Sequence, residues 1–146
     1  MKKHNSKGRL PLLLCVALLG LSSCQSVPTP SGRPELKVRL TQAQAKGRIV
    51  NQWSTSGWFV QGSDDIGFNL VKPLDATESV MLGHGSKQIR VNLVDQGGGI
   101  TQIRATFMVV AGGMATDGSD GKGGCDIQRS FEALFAAERV DGPYMK

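Results

Sequence analysis

His84 and Cys125 are the residues of this 146-residue chain whose types most directly suggest catalysis or metal binding. His84 lies in the run Gly83-His84-Gly85-Ser86, but no cysteine, histidine or carboxylate accompanies it at the spacing of a zinc site. Cys125 could act as a nucleophile with His84 only if the fold brought the two together, because nothing near either residue in sequence supplies an activating group. A tight turn is therefore the simpler interpretation of the His84 run.

A glycine-rich stretch between Asp117 and Asp126 is similar to a calcium-binding loop at its start. Such a loop requires glycine at its sixth position and a bidentate glutamate at its twelfth, where this chain has Lys122 and Gln128. A solvated loop is the better interpretation. With no catalytic constellation and no ligand set, the sequence predicts a protein that is not an enzyme and that holds no cofactor or metal.

The first 23 residues have the layout of a signal peptide. Residues 1–9 are polar and basic, residues 10–21 form an apolar run, and the small residues Ser22 and Ser23 precede Cys24. A membrane-spanning helix needs about 20 apolar residues, so the run of twelve is too short to cross a bilayer. We expect residues 1–23 to be removed as a lipoprotein signal peptide.

The segment Leu21-Ser22-Ser23-Cys24 resembles the lipobox of bacterial lipoproteins. The resemblance implies cleavage between Ser23 and Cys24, a lipid thioether on Cys24 and acylation of the new amino terminus. In that class an aspartate after the cysteine favours retention in the inner membrane, and this chain has Gln25 there. The resemblance therefore implies anchoring to the outer membrane of a Gram-negative host, facing the periplasm. Several acyl chains, at about 0.8 kcal/mol per buried CH₂, give durable attachment.

The basic composition belongs mainly to this leader. The chain carries a formal charge of +5, but four of its seventeen basic residues and none of its twelve acidic residues lie in residues 1–23. The remainder is almost neutral, and its charges are scattered along the chain rather than clustered. Such a surface does not suit the tracking of phosphates, so we expect no nucleic-acid partner.

Residues 24–35 are predicted to be the lipidated amino terminus followed by a proline-rich tether. Proline excludes residues 25–34 from a helix or a central strand, and in an extended polyproline form they would span up to ~30 Å. If Cys24 carries lipid, and Cys15 leaves with the leader, Cys125 has no partner. The three cysteines therefore argue against a disulfide framework, and burial of Cys125 is expected before reactivity or pairing between molecules.

Residues 36–146 are predicted to form a single small domain of the α+β class. A capping box at Thr41 and Gln44 begins a helix over residues 42–55, and a second helix begins at Asp126 and ends before Gly142-Pro143. Alternating patterns predict strands over residues 58–61, 66–70, 79–82, 88–93 and 102–109, with a loop over 111–124. The expected architecture is an antiparallel sheet of four to five strands with the N-terminal and C-terminal helices packed on one face.

The polar face of the last two predicted strands supplies a candidate interaction surface, formed by Gln88, Arg90, Asn92, Gln102, Arg104 and Thr106. A merely solvated sheet face is the alternative. In general plan the chain is similar to small accessory lipoproteins of secretion, conjugation or envelope assembly, which implies a non-catalytic interaction module with an envelope protein as partner. The alternatives are a module that binds glycans or small lipids, with Trp53 and Trp58 as candidates, and an exclusion lipoprotein encoded by a prophage or plasmid.

Overall fold

The computed structural model describes residues 24–145, and the predicted signal peptide lies outside them. The predicted α+β class is confirmed, but the sheet has six strands because two short strands flank those that the alternation predicts. In chain order the elements are β1 (Glu35–Val38), α1 (Gln42–Ser54), β2 (Phe59–Asp64), β3 (Gly67–Pro73), α2 (Ala76–Leu82), β4 (Gly85–Gly97), β5 (Ile100–Ala111), β6 (Met114–Asp117) and α3 (Lys122–Leu134).

The long β4–β5 hairpin forms the centre of the sheet, whose strand order is β1-β5-β4-β3-β2. All pairings are antiparallel, and β6 pairs with the end of β5 that β1 leaves uncovered. The register places Ile89 opposite Phe107 and Val91 opposite Ala105, so their side chains share one face. The hairpin turns at three glycines with positive φ, a conformation that other residues rarely adopt.

Helices α1 and α3 cover one face of this sheet, as predicted. The Thr41 hydroxyl accepts a hydrogen bond from the Gln44 amide, and the Gln44 side chain accepts one from the Thr41 amide, which completes the predicted capping box. The ring of Trp53 on α1 lies 5.5 Å from that of Phe131 on α3. Both side chains belong to the core cluster that the inward residues of β3, β4 and β5 complete.

The predicted strand over residues 79–82 is wrong, because these residues belong to helix α2. Asp75 caps the helix: its carboxylate accepts from the Glu78 amide at 2.8 Å, and the Glu78 carboxylate accepts from the Asp75 amide at 3.1 Å. The Asp-x-x-Glu spacing was visible in the sequence, but the apolar run that follows is equally typical of a strand. No residue of α2 is buried.

The predicted loop over residues 111–124 is also wrong in part, since it contains β6 and the start of α3. Helix α3 begins at Lys122 with Gly121 as its N-cap and without a side-chain cap, so Asp126 lies inside the helix rather than at its start. Gly123 packs against the Phe107 ring and Gly124 against the Ser119 backbone, closely enough that a Cβ at either position would clash. The first turn of α3 therefore requires glycine at both positions for packing, although glycine has a low helix propensity.

Residues 24–34, here called the strap, lie along the domain instead of extending away as a spacer. Val27 is only 3% exposed and packs next to Gly124 on α3. The Pro34 carbonyl accepts a hydrogen bond from the Ala105 amide of β5 at 2.9 Å. The prolines prevent the strap from forming a regular strand. The strap is held instead by the Val27 side chain, which packs on α3, and by the Pro34 carbonyl, which accepts a hydrogen bond from β5.

The strap leads into β1, whose backbone is held by a side chain of α3. The Glu35 amide donates to Gln128 Oε1 at 2.9 Å, and Gln128 Nε2 donates to the Glu35 carbonyl at 3.1 Å. Gln128 is fully buried, and Glu132 accepts its remaining amide hydrogen. These bonds satisfy the edge of a four-residue strand that would otherwise expose unpaired backbone groups.

Candidate functional site

Cys24 and Cys125 are joined by a disulfide, with Cα atoms 6.2 Å apart. Cys125 lies in the first turns of α3 and is completely buried, whereas Cys24 is half-buried at the start of the strap. The predicted burial of Cys125 is confirmed. The sequence left Cys125 without a partner only if Cys24 carries lipid, and the structure pairs it with Cys24 instead. Sequence reasoning missed the pair because the two cysteines are separated by 101 positions and meet only through the path of the strap.

Contacts other than the disulfide also hold the strap in place. The Arg33 guanidinium lies 2.9 Å from the Asp117 carboxylate at the end of β6, and the Ser31 amide donates to the Glu35 carboxylate at 3.2 Å. Hydrogen bonds from Ser119, together with the charge of Arg33, hold the pKa of Asp117 below its ordinary value. The position of Cys24 beside Cys125 therefore rests on several independent contacts.

The Cys24 sulfur can form only one covalent bond besides that to its own Cβ. A disulfide to Cys125 and a lipid thioether are thus alternative states of the same atom. Ser23, on the other side of the predicted cleavage point, lies outside the described residues. Gln25 and Ser26 are exposed, so the chain reaches solvent at Cys24, and lipidation of this residue remains a prediction.

The structure brings the six candidate interaction residues together on the sheet face opposite α1 and α3. Arg90 pairs with Thr106 and Asn92 with Arg104 across the β4–β5 hairpin. The residues that alternate with them are buried under the helices, which places these side chains on the solvent side. We call this surface the polar face; it consists of Gln88, Arg90, Asn92, Gln102, Arg104 and Thr106.

The guanidinium groups of the two arginines in the polar face differ in their contacts with carboxylates of the same domain. Arg90 Nη2 donates to both carboxylate oxygens of Asp64, at 2.9 and 2.6 Å, and its Nε donates to Asn92. These bonds hold the pKa of Asp64 below its ordinary value. The Arg104 side chain is 57% exposed, and its nearest carboxylate oxygen, on Glu35, is 3.8 Å away. Arg104 is therefore the better placed of the two to bind a partner.

A polar pocket of about 350 Å³ adjoins Arg104 at the β1 edge of the sheet. Its walls come from the strap, β1, β5 and the C-terminal segment, where the Tyr144 hydroxyl donates to Asp141 at 3.1 Å. Burial of the phenol raises the pKa of Tyr144. The pocket is near the lower limit for small-molecule sites, which span roughly 300 to 1,000 Å³.

The two tryptophans do not form an open platform for a ligand. Trp53 is 7% exposed and belongs to the core, and Trp58 packs against the same cluster. The cavity that borders both has a volume of about 170 Å³, below the range of typical ligand sites. Trp53, named above as a candidate for ligand binding, is therefore a core residue.

The other residues considered for chemistry are not assembled into a site. His84 is exposed in the turn between α2 and β4, and the disulfide leaves Cys125 without a free thiol. Within residues 24–145, no three His, Cys, Asp or Glu side chains are arranged to hold a metal ion. Asp126, at the end of the stretch that is similar to a calcium-binding loop, forms ion pairs with Lys122 and Arg129. No helix of the same residues has the length and apolar character needed to cross a membrane.

One surface that the sequence did not single out is strongly apolar. On α2, Val80 and Met81 are 87% and 80% exposed, and Met114 at the start of β6 is 73% exposed. The C-terminus of α2 approaches the β5–β6 turn, where the Gly112 amide donates to the His84 carbonyl at 3.4 Å. We call this surface, with Leu82, the apolar end.

Comparisons of this chain with models of protein families, with curated proteins and with solved structures yield no match.

Proposed function

We propose that this chain is a lipid-anchored envelope lipoprotein whose domain acts as a non-catalytic interaction module. The observation that carries the proposal is the assembly of six polar residues from two strands on one solvent-facing surface. Anchoring rests on the signal-peptide layout and on the lipobox-like segment that ends at Cys24. In a Gram-negative host, Gln25 favours the outer membrane, with the domain facing the periplasm.

The surface position of Cys24 is compatible with the anchor. A lipidated Cys24 side chain would turn away from Cys125 toward the solvent that the exposed neighbours Gln25 and Ser26 already reach. In that state the Cys125 thiol stays inside the domain without its disulfide partner. The folded domain itself begins at the strap, so it would sit close to the bilayer rather than at the end of a spacer.

The proposed partner is an envelope protein that presents hydrogen-bonding and acidic groups to the polar face. Arg104 supplies the more exposed of the two cations of the polar face, and Gln88, Gln102 and Thr106 supply neutral donors and acceptors. Arg90 is held by Asp64 and therefore contributes a fixed rather than an adaptable contact. Such a surface confers specificity and orientation more than strong affinity.

The anchor is tested by metabolic labelling with palmitate in a Gram-negative host. We expect label on the wild-type chain and on Cys15→Ala, the matched control within the leader, and no label on Cys24→Ala. Retention of label and of membrane association by Cys24→Ala would overturn the anchor.

The polar face is tested by photo-cross-linking in cells. A photoreactive residue at position 90 or 104 should capture one defined envelope protein, and the same residue at the exposed position 44 on α1 should not. Arg104→Glu should abolish capture from position 90 without changing the fold. Equal capture from positions 44 and 104 would show that the polar face is only solvated.

A second candidate function, binding of a small polar ligand such as a glycan fragment, is favoured by the 350 Å³ pocket beside Gln102 and Arg104. Titration calorimetry with soluble muropeptides tests it. Binding that Lys37→Ala weakens and Gln44→Ala leaves unchanged would support this function. The absence of heat at millimolar ligand would reject it for muropeptides.

A further inference from the structure

The strap places Cys24 where it has two mutually exclusive covalent fates. We propose that Cys125 competes with the lipid for Cys24: oxidation of the pair produces a disulfide-closed form without the anchor, and lipidation produces the anchored form. The two forms of one chain would therefore differ in lipid attachment, and the oxidation of exported thiols would set their ratio. This inference rests on the proposed lipid anchor and adds Cys125 as the residue that can prevent lipidation of Cys24.

The geometry supports direct competition between the two reactions. The Cα atoms of Cys24 and Cys125 are 6.2 Å apart, within the usual range for a disulfide of roughly 4.4 to 6.8 Å. Val27 and Arg33 hold the strap through contacts to α3 and β6 that do not require the disulfide. Folding therefore delivers Cys24 to Cys125 even when both are thiols.

The difference in burial of the two sulfurs gives the reaction an order. Cys24 is half-buried and Cys125 is completely buried, so an external reagent reaches Cys24 first. The Cys24 thiolate attacks a disulfide oxidant, bonds to one of its sulfurs and releases the other as a thiolate. The Cys125 thiolate then attacks the Cys24 sulfur of this mixed disulfide and releases the second oxidant thiolate.

The balance of this exchange explains why lipidation blocks it. Two cysteine thiols lose two electrons and two protons, and the oxidant disulfide is reduced to two thiols. A thioether at Cys24 carries no thiol to oxidise. Within residues 24–145 the sequence has no third cysteine, so the Cys125 of a lipidated chain stays reduced. The redox state of Cys125 therefore reports which fate each molecule has taken.

The experiment expresses the full chain in a Gram-negative host, separates the membrane and soluble fractions, and alkylates free thiols before and after reduction. Intact mass spectrometry then reads both fractions. We expect membrane-bound chains with lipid on Cys24 and one alkylated thiol at Cys125. We expect a second population of chains that carry no lipid and gain two alkylations, at Cys24 and Cys125, only after reduction.

Cys125→Ser is the decisive variant, and Cys15→Ser in the leader is its matched control. Cys125→Ser should eliminate the unlipidated, disulfide-closed form and increase the lipidated share, whereas Cys15→Ser should change neither. Circular dichroism checks that the variants are folded, and Cys125→Ala replaces Cys125→Ser if the hydroxyl prevents folding. Growth with a thiol reductant should shift the wild-type chain in the same direction as Cys125→Ser.

Three outcomes would overturn the competition. One is a wild-type chain that is entirely lipidated and has the same distribution as Cys125→Ser. Another is an unlipidated form whose Cys24 and Cys125 thiols are both alkylated without reduction. The third is a chain that is never lipidated, even as Cys125→Ser; this result also removes the lipid anchor. The first outcome leaves lipid on Cys24, and so does the second where lipidated chains accompany the reduced ones. Failure of the competition is therefore distinguishable from failure of the proposed function.

Discussion

The strap and helix α2 are two short peripheral segments whose sequences suggest the opposite of their packing. The strap is rich in proline and polar residues and forms no regular structure, yet it is docked through Val27 and Cys24. Helix α2 has a complete capping box and ends in Val80, Met81 and Leu82, yet none of its residues is buried. Local regularity and burial are therefore set by different properties of the chain.

The difference lies in the partners that each segment meets. The strap runs between α3 and the outer edge of β5, where an apolar contact, an ion pair and backbone hydrogen bonds all act on it. Helix α2 buries none of its residues, and its side chains gain one ion pair, from Glu78 to Lys87 of β4. A few long-range contacts thus bury part of the strap against the domain, whereas good local capping leaves α2 exposed.

The largest test of this comparison is the loss of the disulfide. Closure of a loop of about 100 residues stabilises a protein by up to roughly 4 to 5 kcal/mol in the chain-entropy model, and typical measured values are 2 to 4. We expect reduction of the disulfide-closed domain, residues 24–146, to lower its free energy of unfolding by about 2 to 4 kcal/mol. Urea unfolding with and without reductant measures this change. An unchanged midpoint would mean that the other strap contacts suffice.

A valine from each segment provides the next test. Val27→Ala removes two buried methyl groups and leaves a cavity against α3, so it should destabilise the protein by about 1.5 to 3 kcal/mol. Val80→Ala, at a position that is 87% exposed, should change stability by less than ~0.5 kcal/mol. Urea unfolding of both variants gives the comparison. Equal effects would show that the strap is not docked in solution.

Two glycine substitutions should act with opposite signs. At Gly124 a Cβ would clash with the Ser119 backbone and lie 2.9 Å from Val27 Cγ2, so Gly124→Ala should cost about 1 to 3 kcal/mol. At Gly47 on α1 a Cβ would meet nothing within 4 Å, so Gly47→Ala should stabilise by about 0.5 to 1 kcal/mol. Thermal unfolding measures both changes. A stabilising Gly124→Ala would contradict the close strap–α3 contact.

The smallest expected effect concerns one carboxylate at each segment: Asp117, which pairs with Arg33 of the strap, and Glu78 on α2. The pKa of Asp117 is lowered mainly by hydrogen bonds from Ser119, and that of Glu78 mainly by its bond with Lys87. Because both folded pKa values lie below the unfolded ones, these groups stabilise the protein above the ordinary values of 3.8 and 4.5, and the contribution is lost as pH falls through the folded values.

Carboxyl NMR titration checks this prediction. Asp117 and Glu78 should titrate below their ordinary values, and Lys87→Ala should raise the pKa of Glu78 while that of Asp117 stays in place. Ordinary titration of Asp117 in the intact protein would indicate that neither Ser119 nor Arg33 is bound to it in solution.

The sequence by itself determined the parts of the molecule that are encoded by neighbouring residues. Helix α1 follows from a capping box and apolar residues four positions apart, and the β4–β5 hairpin follows from alternation around three glycines. The same alternation placed the six residues of the polar face on one side of the sheet, since side chains along a strand point to opposite faces in turn. Each of these patterns spans only a few residues, so each can be recognised in the sequence without knowledge of the fold.

Only the tertiary structure decided the path of the strap, the pairing of β1 and β6 with β5, and the partner of Cys125. Residues 24 and 125 approach because α3 lies back across the sheet. This arrangement includes close contacts of Gly123 with Phe107 and of Gly124 with Ser119, which have no local signature. Proline and glycine report where regular structure stops, but not what the chain then touches. Long-range packing makes that choice, which is why the fate of Cys24 was open in the sequence and is constrained by the fold.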